Sequence, residues 1–92
     1  MTNKKLFINI NDRQDTYWAL GYYGTLKQWR ETVMEWCDLD GRYGLYNDFK
    51  YYRIKNEDLI DFINEYWDIE IVEYNEGEDY GFEKEDLCYL GK

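Results

Sequence analysis

The spacing of apolar and polar positions changes several times along the chain, and each change marks an element. Leu6, Ile8 and Ile10 alternate with Phe7 and Asn9, Asn11 to Asp15 carries turn chemistry, and Thr16 to Tyr23 resumes a β-prone aromatic run. This predicts an opening β-hairpin. After Gly24 the period becomes helical: Leu26, Trp29, Val33 and Cys37 share one face, widened by Arg30, Met34 and Trp36. Thr25 and Gln28 stand at capping-box spacing before that stripe and Asp38-Leu39-Asp40-Gly41 closes it, so a helix is expected from Leu26 to about Cys37.

Arg42 to Lys55 alternates poorly, and its tyrosines with Asn47-Asp48 predict a loop and turn followed by a strand over Lys50–Ile54. Asn56 stands as an N-cap with Glu57 and Asp58 in the first turn, where the helix dipole favours anions. Leu59, Phe62, Ile63, Tyr66 and Trp67 mark the buried face of this second helix, which is expected to end near Trp67. Asp68 to Tyr74 alternates Ile69, Ile71 and Val72 with Glu70 and Glu73 and reads as a strand. Asn75 to Asp79 turns, and Tyr80 to Leu90 is expected to return as a hairpin strand. The expected order is β-β-α-β-α-β-β, an α+β fold with a small antiparallel sheet and two helices on one face, with residues 1–92 as a single domain.

Composition supports one core. The chain has 92 residues, 45% apolar and 21% aromatic. A chain of this size buries roughly 60 to 65% of its unfolded surface, and bulky rings let few side chains fill the interior. No apolar run is long enough to cross a bilayer, and Met1-Thr2-Asn3-Lys4-Lys5 leads into the first strand without a cleavage-site pattern, so a cytoplasmic location is expected. Cys37 and Cys88 form no C-x-x-C pair and are expected to be reduced, half-buried thiols.

Chemistry is narrowed by what is missing. The chain contains no histidine, serine or proline. Imidazole catalysis and serine nucleophiles are therefore excluded, and neither cysteine has a histidine base to activate it. No motif selects a catalytic pair from the carboxylates, so the chain reads as a binding protein, not an enzyme, without a cofactor. Calcium loops fail on spacing. Asp38 to Gly41 has its glycine at the fourth position, and Asn75 to Asp86 has Tyr80 where glycine is needed and ends in Asp, so no metal site is expected.

Charge is polarised. The net charge is −9, divided into +2 over residues 1–55 and −11 over residues 56–92. The acidic part also carries Tyr66, Trp67, Tyr74, Tyr80, Phe82 and Tyr89, so it is expected to fold instead of solvating as a tail. On the second helix Asp58, Asp61, Glu65 and Asp68 recur every three or four residues, giving a stripe of roughly 15 Å at about 1.5 Å per residue. That is one charge per roughly 4 to 5 Å, comparable with the phosphate spacing of about 3.4 Å along one DNA strand. Glu70, Glu73, Glu76, Glu78, Asp79, Glu83, Glu85 and Asp86 extend the acidic set, and Tyr74 and Tyr80 are candidate contact residues beside them. An acidic stripe opposite an apolar one is also what an ordinary solvated helix shows. The near absence of interleaved Lys and Arg favours the functional reading, because like charges at i,i+4 spacing destabilise a helix.

In size, acidity, aromatic content and lack of a catalytic set, the chain resembles the small phage and mobile-element inhibitors of bacterial defence, the anti-CRISPR and antirestriction proteins, several of which mimic DNA. The resemblance is one of type and assigns no residue roles. It implies a basic nucleic-acid-binding partner, such as a CRISPR effector nuclease or restriction enzyme, blocked where it would hold DNA. Direct binding to nucleic acid is disfavoured by charge repulsion. The competing readings are an immunity or antitoxin-like protein that binds a basic toxin, and a homo-oligomeric structural protein pairing through an exposed strand edge. Monomer and homodimer both remain open at this point.

Overall fold

The computed structural model describes residues 5–12 and 19–91. In chain order these form β1 (Phe7–Asp12), β2 (Tyr22–Gly24), α1 (Leu26–Leu39), α2 (Tyr43–Lys50), α3 (Asn56–Trp67), β3 (Ile69–Glu73), a single 3-10 turn (Lys84–Asp86) and β4 (Cys88–Tyr89). The class is α+β, as the periodicity predicts. Three helices are present instead of two, and the sheet is mixed, in the order β3-β1-β2-β4. β1 is antiparallel to β2 and to β3, whereas β4 runs parallel to β2. The opening strand pair is present, and among the described residues of its second arm the strand covers Tyr22–Gly24; the predicted turn from Arg13 to Asp15 and the run from Thr16 to Trp18 lie outside the described residues.

The local signals at α1 work as chemistry. Thr25 Oγ1 accepts the Gln28 N–H at 3.2 Å and Gln28 Oε1 accepts the Thr25 N–H at 2.8 Å, closing the capping box. At the other end Gly41 adopts a left-handed φ of 71°, and the Arg42 N–H reaches back to the Cys37 carbonyl at 2.8 Å, satisfying one of the helix's terminal acceptors.

Two expected strands differ from the structure. The segment 43–50 is helical, and Lys50–Ile54 is the end of α2 and a turn, with no strand. Phe49 decides this. It is fully buried, and its ring meets Phe62 and Trp67 of α3 at 5.7 and 6.2 Å. Burying such a ring is worth roughly 1.5 to 3 kcal/mol, more than the weak β preference of the surrounding tyrosines. The predicted hairpin strand over Tyr80–Leu90 reduces to Cys88–Tyr89, paired with β2 instead of β3. Gly77 and Gly81 turn the chain with φ of 84° and 85°, so residues 74–87 carry it from one edge of the sheet to the other.

The core joins Trp29, Val33 and Cys37 of α1, Phe49 of α2, Leu59 and Ile63 of α3, and Ile69 and Ile71 of β3. The opposite face of the sheet carries Ile8, which pairs with Val72 and Tyr23. Across it runs a row of rings, Tyr80, Tyr74, Tyr23 and Tyr89, with successive centroids 5.7, 5.3 and 5.3 Å apart.

Candidate interaction surface

α3 is fixed from its inner side. Leu59 and Ile63 are fully buried, and the side-chain amide of Asn64 pairs with both backbone groups of Ile71, accepting its N–H at 2.8 Å and donating to its carbonyl at 3.0 Å. Asn64 thus occupies the outward hydrogen-bonding groups at the middle of β3, an edge strand. Lys55, not Asn56, is the N-cap, and no side chain caps the helix there. Asn56 instead accepts a hydrogen bond from Arg30 Nη2 at 2.8 Å.

The outer side of α3 presents Asp58, Asp61 and Glu65, all exposed, and none forms an ion pair with another described residue. Asp58 and Glu65 are seven residues apart, about 10 Å along the axis. The stripe ends there, because Asp68 is the left-handed cap of the helix with φ 54° and is half-buried. Tyr66, expected on the buried face, is 40% exposed. Its ring stacks on Phe62 at 5.8 Å and 12°, and a groove of about 190 Å³ is lined by Phe62, Glu65 and Tyr66. The exposed acids are therefore flanked by aromatic surface on the same helix.

The remaining predicted residues are dispersed. Glu70 is half-buried on the sheet face opposite the helices, on the side of Val72 and Tyr74. Glu73 lies 3.7 Å from Lys5 Nζ. Glu76 is exposed in the turn after β3, the Asp79 carboxylate accepts the Gly81 N–H at 2.8 Å, and Glu78 Oε2 lies 2.9 Å from the Tyr80 hydroxyl. Glu83, Glu85 and Asp86 are exposed at the 3-10 turn near the other edge of the sheet, with the Asp86 carbonyl against Gly21 just before β2. Tyr74 is half-buried in the ring row, and Tyr80 works structurally. Its oxygen accepts the Asn75 N–H at 2.8 Å and lies 3.2 Å from the Glu73 carbonyl, covering the end of the β3 edge. Burial raises the Tyr80 hydroxyl above its ordinary pKa; the Asn75 N–H opposes this and Glu78 adds to it.

Three cations of the preceding segment, Arg42, Lys50 and Arg53, find partners without using the α3 carboxylates, whereas Lys55, the N-cap of α3, is exposed and forms no ion pair with another described residue. Arg53 pairs with Asp48 at 3.1 Å and Arg42 with Asp40 at 3.8 Å. Lys50 and Arg53 lie over the Tyr51 ring, at 5.5 and 5.9 Å from its centroid, and Arg42 lies over Tyr66 at 5.4 Å while also donating to its hydroxyl. Arg30 is 3% exposed. It donates to the Phe49 carbonyl at the end of α2 at 2.9 Å and lies 4.1 Å over the Tyr52 ring, whose residue has a left-handed φ of 56°. Burial lowers the Arg30 pKa from its ordinary value, partly offset by Tyr52, and the guanidinium stays charged.

The thiols also depart from expectation: Cys37 is fully buried, and burial pushes its pKa up, whereas Cys88 is exposed. Among the described residues no three potential ligands come together to hold a metal ion, and no helix is long and apolar enough to cross a membrane. Comparison with protein-family models, with curated proteins and with solved structures gives no significant match.

Proposed function

We propose that the chain is an inhibitor that binds a basic nucleic-acid-binding protein through the outer face of α3 and competes there with DNA. The observation carrying this reading is that Asp58, Asp61 and Glu65 stand exposed in a row on a helix, without ion pairs among the described residues, while Arg42, Lys50 and Arg53 of the preceding segment are taken up by Asp40, Asp48 and aromatic rings. Three fixed carboxylates over about 10 Å offer a phosphate-binding groove several charge-assisted contacts at once. Long-range attraction would speed the encounter, and Phe62 and Tyr66 would add contact area from which water is excluded. The class of partner that best fits is a bacterial defence nuclease, either a CRISPR effector or a restriction enzyme. The edge-pairing oligomer gains less support, because Asn64 and Tyr80 occupy outward backbone groups of β3.

The test is a DNA-cleavage assay with a panel of purified CRISPR effector and restriction nucleases. For a susceptible nuclease, inhibition should weaken as DNA or salt is raised. Replacing Asp58, Asp61 and Glu65 together with Lys should abolish it. Inhibition unaffected by that triple change would overturn the reading.

A further inference from the structure

We infer that the groove on α3 is a receptor for an arginine side chain of the partner, discriminating guanidinium from ammonium. The inference rests on the acidic-surface reading and goes beyond it by naming the group recognised. Phe62 and Tyr66 are stacked with their rings only 12° apart, and Glu65 lines the same groove with its carboxylate exposed. A guanidinium is planar, stacks on an aromatic face and offers paired donors to a carboxylate. An ammonium is a compact, strongly hydrated charge that gains less from the ring. The chain already places one guanidinium on this aromatic surface: Arg42 lies over the Tyr66 ring and donates to its hydroxyl. That arginine is half-exposed, and its carboxylate contact, to Asp40, is long at 3.8 Å. It is therefore poised to be displaced by an incoming arginine that can reach Glu65. The charge of the site agrees with this occupant, because Asp61 and Glu65 on the same helix have no ion-pair partner among the described residues.

The experiment uses the full chain and two fluorescent peptides of equal length and charge, one alternating glycine with arginine and the other glycine with lysine. Binding is followed by anisotropy at low salt. The arginine peptide should bind about fivefold more tightly, the size of a single cation–π contact. Tyr66→Leu should erase that preference while leaving lysine-peptide binding in place. Arg42→Lys keeps the charge but frees the ring, so it should strengthen arginine-peptide binding and leave lysine-peptide binding unchanged. Equal affinity of the unmodified chain for the two peptides would overturn the arginine receptor and leave the acidic surface standing. Failure of both peptides to bind would overturn both readings. Retention of the preference in Tyr66→Leu would also overturn the receptor, with thermal melting used to show that this variant folds.

Discussion

The segment 42–55 and the helix α3 that follows it are both rich in charge and aromatic rings, yet they use them in opposite ways. In the first, Arg53 pairs with Asp48, Arg42 contacts Asp40, and Lys50 and Arg53 lie over the Tyr51 ring. Arg30, reaching in from α1, joins the α2 terminus to Asn56 at the start of α3. On α3, the polar residue facing inward, Asn64, is fully used, while Asp58, Asp61 and Glu65 facing outward form no ion pair with another described residue. The count of charges along a chain therefore does not give the charge available to a partner. Local pairing decides that, and it leaves α3 more accessible to a cationic ligand than the net charge of either region reveals.

The comparison breaks most severely at Arg30. Arg30→Met leaves the Phe49 carbonyl and Asn56 without their charged donor and should cost about 3 kcal/mol in a denaturant melt. A loss below about 1 kcal/mol would mean that the internal use of this cation contributes little. Asn64→Ala removes both hydrogen bonds to Ile71 and exposes the edge of β3. It should cost about 2 kcal/mol, and sedimentation should then show stronger concentration-dependent association than for the unmodified chain.

Tyr80→Phe is expected to cost about 1 kcal/mol at neutral pH, because the Asn75 N–H loses its acceptor. The pH dependence follows from the raised folded-state pKa of Tyr80. Above the unfolded value near 10 the unfolded chain releases this proton while the folded chain retains it. The contribution is therefore present below that pH and lost as pH rises through the folded value. The unmodified chain's advantage over Tyr80→Phe should thus shrink as pH rises beyond about 10. The smallest effect is expected on the outer face of α3. Replacing Asp58, Asp61 and Glu65 with Lys should cost no more than about 1 kcal/mol, most of it from Asp58 in the first turn of the helix, since exposed charges contribute little to folding. A larger loss would show that these carboxylates serve the fold.

Much of this architecture is legible in the sequence where local chemistry decides it. Thr25 and Gln28 announce α1, Gly41 ends it, and the apolar spacing of Leu59 and Ile63 locates α3. The segment 43–50 misleads because tyrosines and Gly44 suggest a loop and strand, although Leu45, Tyr46 and Phe49 are also spaced for a helix. Only the packing of Phe49 against α3 resolves the choice. β4 is not visible locally, since a two-residue strand parallel to β2 depends on a crossing from the other edge of the sheet. For the interaction surface, Asp58, Asp61 and Glu65 follow from helical period alone. Tyr66 was hidden by its place in the apolar pattern, and the half-buried Asp68 by being counted in the helical stripe although the helix is expected to end near Trp67. The internal roles of Tyr80 and Glu78 required the fold of the turn.

The most direct measurement is amide chemical-shift mapping of the full chain during titration with the arginine-glycine peptide. Perturbations confined mainly to Asp58 through Tyr66 are predicted. Perturbations centred instead on Glu83–Asp86, or spread evenly over all the carboxylates, would contradict the claim that the outer face of α3 is the binding surface.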